Sequence, residues 1–193
     1  MGVTTKVRHF NLGDPPNMAT KTDTSSATHT SHPAFIPSPA FATQMQRLLV
    51  DLTELSLQGK QLHWNVVGKN FRDMHLVLDE VVDAARDFTD EVAERMRALY
   101  ILPDGRTGTV AEDTTLAPLP ATEVDTATAA DLAAAALYAT SKTAREIHDD
   151  IDAEDPTTAD LLHAIITRVE QLAWFIDSEN RVANQSKPAQ LTV

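Results

Sequence analysis

Four stretches of this chain repeat apolar residues every three or four positions, and one long proline-bearing segment divides them into two pairs. The first opens at Ser38-Pro39, an N-cap followed by proline at the first helical position. It continues through Phe41, Met45, Leu48, Leu49, Leu52, Leu55 and Leu62 to about Val66, and Gly68 breaks it. Asn70 is placed to cap a second helix, with Asp73 in its first turn and a stripe running through Met74, Val77, Leu78, Val81, Val82, Phe88, Val92 and Leu99. Pro103-Asp104-Gly105 stops that helix. The segment to about Thr126 contains Pro118 and Pro120 and reads as a crossover with room for one short helix near Thr109 to Thr114. A third helix is expected from near Thr128, through the alanine-rich 129–139 stretch, to about Asp152. Asp155-Pro156 starts a fourth, which runs through Leu161, Leu162, Ile165, Ile166, Val169, Leu172, Trp174 and Ile176 to about Asn184.

Two helical hairpins joined by one long crossover make an all-α chain of the ferritin-like four-helix-bundle form, with the crossover between helices 2 and 3. The order of elements alone does not exclude an up-and-down bundle. Residues 1–37 read as a flexible, disordered N-terminal tail: Thr20 to Thr30 is almost wholly small and polar, and prolines stand at 15, 16, 33 and 37. Residues 38–184 form the bundle and 185–193 a short C-terminal tail, while Met18 offers an alternative start.

The charge balance excludes some chemistry. Twenty-eight Asp and Glu against 16 Lys and Arg give a net charge of −12, which disfavours whole-surface binding of nucleic acid and favours concentrating cations. No cysteine is present, so any metal must be held by His, Asp and Glu, a donor set that suits iron, manganese or zinc. No apolar run is long enough to span a bilayer, and the N-terminus lacks the apolar stretch of a secretory signal. The expectation is a soluble cytoplasmic protein with no membrane partner, associated with the nucleoid to the extent that its tail engages DNA.

The residues that carry chemistry are His63, late in the first helix, and His75, Asp79, Asp90 and Glu94 along the second. His75/Asp79 and Asp90/Glu94 are i, i+4 pairs, so the members of each pair share a face. At about 100° per residue, the step from Asp79 to Asp90 returns to within roughly 20° of its starting direction, so all four lie on one stripe. That step also covers roughly 16 Å of helix, whereas metal–ligand bonds are near 2 Å. One metal cannot be reached by both pairs of a single chain. If the pairs cooperate, a second copy of the helix must run antiparallel, and a two-fold dimer then makes two identical sites between subunits. The Glu-x-x-His pairs that build a di-iron site inside one bundle occur nowhere in this sequence.

The stretch from Lys60 to Glu80, KQLHWNVVGKNFRDMHLVLDE, resembles the signature of the Dps family, the DNA-binding proteins from starved cells. DEVAER from Asp90 to Arg95, DPTTADLL from Asp155 to Leu162, and AWFI from Ala173 to Ile176 extend the likeness over roughly Ser38 to Asn184. The resemblance implies a dodecameric homo-oligomer, a hollow shell that stores ferric mineral and protects DNA. It implies a di-iron ferroxidase centre at each dimer interface, using hydrogen peroxide in preference to oxygen. His63, His75 and Asp79 would come from one subunit, Asp90 and Glu94 from the other, with Glu94 bridging and Asp79 acting through water. Trp64 would stand beside the centre, the alternative being an ordinary core residue. Asp155 and Asp160 would line an acidic iron-entry pore, with helix capping a sufficient role for Asp155.

Three functions remain open on the sequence: a ferroxidase that stores iron, a nucleoid protein that coats DNA, and a bundle whose polar residues are structural. DNA contact is expected to be weak and confined to the tail, through Lys6, Arg8 and Lys21. His148 and His163 have no evident acidic partner pattern and read as structural or surface residues. His29 and His32 are placed to bind an accessory metal, a weaker expectation.

Overall fold

The computed structural model describes residues 35–183. The tail contacts expected of Lys6, Arg8 and Lys21, the tail histidines, and the segment 185–193 therefore lie outside the described residues. Four long helices form the bundle: α1 (Pro39–Asn65), α2 (Phe71–Ala98), α4 (Thr126–Glu154) and α5 (Pro156–Asp177). A short α3 (Thr107–Asp113) lies in the crossover where the sequence leaves room for one helix. Two-residue strands β1 (Val66–Val67) and β2 (Val124–Asp125) complete the order.

The strands decide the topology. They pair in parallel, Val66 with Val124 and Val67 with Asp125, so the end of α1 lies beside the start of α4. The crossover must therefore climb the whole length of the bundle, leaving α2 and α4 parallel, which is the ferritin-like arrangement and not an up-and-down bundle. A ladder of hydrogen bonds marks the climb along α1. Gln46 Nε2 donates to the Asp104 carbonyl at 2.8 Å, Thr115 N–H to Asp51 at 2.8 Å, and Gln58 Nε2 to the Ala117 carbonyl at 3.0 Å.

Local signals set the ends. Ser38 caps α1 by accepting from the Phe41 N–H at 3.1 Å and donates its own hydroxyl to Glu154 at 2.8 Å, which ties the start of α1 to the end of α4. Phe35, assigned to the tail on sequence, packs edge-on against Phe41 with ring centroids 6.3 Å apart. Asn70 occupies the N-cap of α2 in the left-handed region (φ 59°) and makes no side-chain cap, so the expected Asn cap is a backbone turn instead. α2 ends before Pro103: Ile101 N–H bonds the Met96 carbonyl and Tyr100 N–H the Arg97 carbonyl, with Tyr100 left-handed at φ 63°. That is a Schellman ending with tyrosine where glycine is usual. α5 stops at Asp177, short of Asn184, because Ser178–Asn180 tightens into a 3-10 turn whose Asn180 amide donates to the Ala127 carbonyl and to Asp131, each at 2.8 Å.

The core follows most of the stripes read from sequence, except that Trp174, expected on the stripe of the fourth helix, is 56% exposed. Phe41, Met45, Leu48 and Leu52 of α1 meet Leu78 and Met96 of α2, Leu137 and Ile147 of α4, and Leu162 of α5, all essentially solvent-free. At Gly59 a Cβ would come within 2.8 Å of Val82, so this glycine sets how closely α1 approaches α2.

Asp51 is wholly buried on α1, with no basic side chain bonded to it. Its carboxyl accepts from the Thr115 N–H at 2.8 Å, from the Thr115 and Thr143 hydroxyls at 2.7 Å each, and from the Thr114 hydroxyl at 3.3 Å. One buried acid thus pins the crossover and α4 to α1. Removing it leaves these donors unpaired in a dry interior, which costs more than the bonds themselves contribute. Asp51→Ala is expected to destabilise the fold by about 3 kcal/mol, read as a lowered denaturation midpoint with Asp51→Asn intermediate; an unchanged midpoint would show that the clamp is dispensable.

Candidate metal centre

The α1–α2 hairpin folds the sequence back at Gly68, whose φ of +113° suits a residue without a Cβ. His63 and His75 stand six residues either side of Lys69, and the turn brings them face to face. Their rings stack with centroids 3.5 Å apart. His63 Nδ1 lies 3.0 Å from the His75 backbone carbonyl, and His75 Nδ1 lies 3.0 Å from that of His63. A carbonyl oxygen only accepts, so each Nδ1 carries the hydrogen and each Nε2 keeps its lone pair. That is the tautomer a metal ligand needs, fixed by the backbone itself.

Asp79 joins them one turn along α2. One ligand atom from each of His63, His75 and Asp79 lies within 4.8 Å of the other two, and no other such trio of His or acidic groups occurs among the described residues. Asp79 Oδ1 is 3.2 Å from His63 Nδ1 and accepts from the Lys60 ammonium. The Lys60 hydrogen bond, with the nearby His63 and His75, outweighs desolvation and holds the Asp79 carboxyl below its ordinary range. His63 is buried, while His75 and Asp79 are half-exposed, so the trio has one protected wall and one open side.

Asp90 and Glu94 are not part of this cluster. Both are exposed on α2 and make no ion pair or side-chain hydrogen bond among the described residues. Several large apolar side chains of the same hairpin are exposed: Trp64 is 70% exposed, Leu57 52%, Leu76 48% and Phe71 43%, with the Phe71 ring 5.1 Å from that of His75. Trp64 is therefore not a core residue of this chain. Four large apolar side chains left in water on α1, α2 and the turn between them are of the kind that another surface covers.

The two acids expected at a pore differ from each other. Asp155 accepts from Arg95 at 2.5 Å and from the Thr158 hydroxyl at 2.5 Å. Burial pushes its carboxyl up, but Thr158 and Arg95 outweigh that and leave it below the usual carboxylate range. Its charge is neutralised within the chain. Asp160 is exposed, 3.6 Å from His163. The sequence reading missed a second histidine pair: His148 Nε2 and His163 Nε2 lie 2.7 Å apart across α4 and α5. The signal was available, since the two stand seven residues before and eight after the turn at Asp155.

Comparison with known proteins gives the family. The family model of the ferritin-like domain matches residues 42–183. The DNA protection during starvation protein of Mycolicibacterium smegmatis is 33% identical over 152 residues, covering 78% of this chain and 80% of that one. The fine tangled pili major subunit of Haemophilus ducreyi is 39% identical over 138 residues, 70% of this chain and 71% of the relative. Among solved structures, Dps from Microbacterium arborescens in its high iron form superposes with a TM-score of 0.69 at 31% identity, covering 76% of this chain and 98% of that one. The chain belongs to the Dps family of ferritin-like proteins.

Proposed function

We propose that this protein takes up ferrous iron as substrate, oxidises it at two-iron sites shared between two copies of the chain, and stores the ferric product inside a hollow dodecamer. The observation that carries the reading is a half-built site: His63, His75 and Asp79 pre-assembled, with two unengaged carboxylates on the same helix roughly 16 Å away. Symmetry connects the halves. A two-fold axis passing α2 between Ala84 and Ala85 sets His75 opposite Glu94 and Asp79 opposite Asp90 at the same time. The exposed apolar side chains of Trp64, Leu57, Leu76 and Phe71 would gain a partner to exclude their water.

Chemistry follows from the donor set. Two imidazoles and several carboxylates favour the more highly charged ferric product over ferrous iron. Two ferrous ions side by side can each give one electron to a single hydrogen peroxide molecule, which takes up two protons and leaves as two waters. No hydroxyl radical is released, and that is the proposed route to protecting DNA. Lys60, bound to Asp79, keeps the carboxylate ionised and hands it over when iron arrives.

His63→Ala combined with His75→Ala is expected to slow peroxide-dependent iron oxidation by at least tenfold, measured by stopped-flow absorbance, with the assembly unchanged on size exclusion. Wild-type rates in that variant would mean the site is elsewhere. Coating of DNA is the competing reading, and charge opposes it. Residues 1–37 hold three basic and two acidic residues, about +1, which leaves −13 on the remainder. Any contact through the tails gains only from multivalency and is electrostatic, so it weakens steeply as salt rises. In a mobility-shift series the full chain should release DNA as salt is added and a version starting at Ser38 should not bind; retention by the shortened shell at physiological salt would contradict this.

A further inference from the structure

His148 on α4 and His163 on α5 line an open cleft of about 450 Å3 with Arg145, Asp149, Ile166 and Thr167. The two imidazoles meet nitrogen to nitrogen, with Nε2 atoms 2.7 Å apart and centroids 4.7 Å apart. This differs from the stacked His63/His75 pair. His148 Nδ1 is 2.9 Å from Asp149, and a carboxylate only accepts, so this nitrogen carries hydrogen and leaves the His148 Nε2 a lone pair. Asp160 stands 3.6 Å from His163 Nδ1, beside that ring but beyond a direct hydrogen bond. The two Nε2 atoms share one hydrogen, and a metal ion that replaces it meets two imidazole nitrogens already side by side.

We propose that His148 and His163 form a second metal site, held within one chain, for a borderline divalent transition-metal ion such as zinc. Imidazole nitrogens are the donors such ions prefer. Bonds of about 2.0–2.1 Å need Nε2 atoms roughly 2.9 Å apart for a right angle at the metal and roughly 3.3 Å for a tetrahedral one. The rings therefore have to part by only a few tenths of an ångström. Asp149 orients the His148 ring as its outer partner, the carboxylate–histidine–metal arrangement that fixes the tautomer and raises ligand basicity. Water fills the remaining positions from the open cleft. The one cation in the cleft does not oppose binding, because Arg145 spends its charge on Glu170, with Nε and Nη2 donating at 2.6 and 2.8 Å. The site rests on none of the residues assigned to iron oxidation and stands or falls apart from that reading.

The test is calorimetric titration of the intact full-length assembly with zinc chloride. Wild type is expected to bind one zinc per chain more than His163→Asn. His148→Asn should lose that same equivalent, and the double variant should lose no further one, because both rings hold a single ion. All other histidines are common to the four proteins and cancel in the difference. Asp149→Asn, a change at a fully exposed position, should weaken this equivalent roughly tenfold without abolishing it. Crystals of the wild type soaked in zinc give an answer independent of any variant: an anomalous peak between the two rings is expected. Equal stoichiometry in wild type and His163→Asn, or no peak at that point, would overturn the proposal and leave a hydrogen-bonded histidine pair.

Discussion

The rise of an α-helix, about 1.5 Å per residue, cannot be altered by rotating side chains. Along α2 it separates His75 and Asp79 from Asp90 and Glu94 by more than any pair of side chains can close, while the helical repeat keeps all four on one stripe. The chemistry proposed for this chain follows from that conflict. In the proposed reading a single chain would complete the nitrogen-rich half of a site and present the carboxylate half where it has no use for it. Repeating the helix antiparallel would satisfy both halves at once and give two centres per dimer, without one residue being added.

The rest of the fold serves to hold that stripe outward. α1 supplies His63 and must approach α2 closely, which Gly59 permits against Val82. The hairpin turn at Gly68 sets the stacking of the histidines, and reciprocal bonds to each other's backbone carbonyls fix both tautomers before any metal arrives. On the far side of α1 the crossover is pinned by Asp51, so the α1–α2 hairpin is braced from behind. Pre-organisation of this kind puts the cost of ordering the ligands into folding and not into binding.

Much of this was legible in the sequence because it is local. The four helices and the break at Gly68 depend on spacing within about twenty residues, while the grouping of His63 with His75 and Asp79 was legible through the likeness of the stretch from Lys60 to Glu80 to a family signature. The direction of the crossover was not legible, since a proline-rich segment has no periodicity and only the Val66–Val124 pairing reveals where it goes. Asp51 was missed for a similar reason. An acid on an amphipathic helix ordinarily belongs to the solvated face, and its partners Thr114, Thr115 and Thr143 are 63 to 92 residues away. The engagement of Asp155 by Arg95, 60 residues distant, likewise left no trace in the local pattern. His148 and His163 are the exception: their symmetric placement about Asp155 is readable, but only once α4 and α5 are known to form an antiparallel hairpin.

The central claim is that the iron site belongs to two chains. Crystals of the assembled protein, soaked anaerobically in ferrous iron and measured on both sides of the iron absorption edge, test it most directly. The account predicts anomalous density between two chains, with His63 and His75 of one copy on one side and Asp90 and Glu94 of the other copy opposite. Iron enclosed within a single bundle, away from Glu94 of any copy, would contradict it.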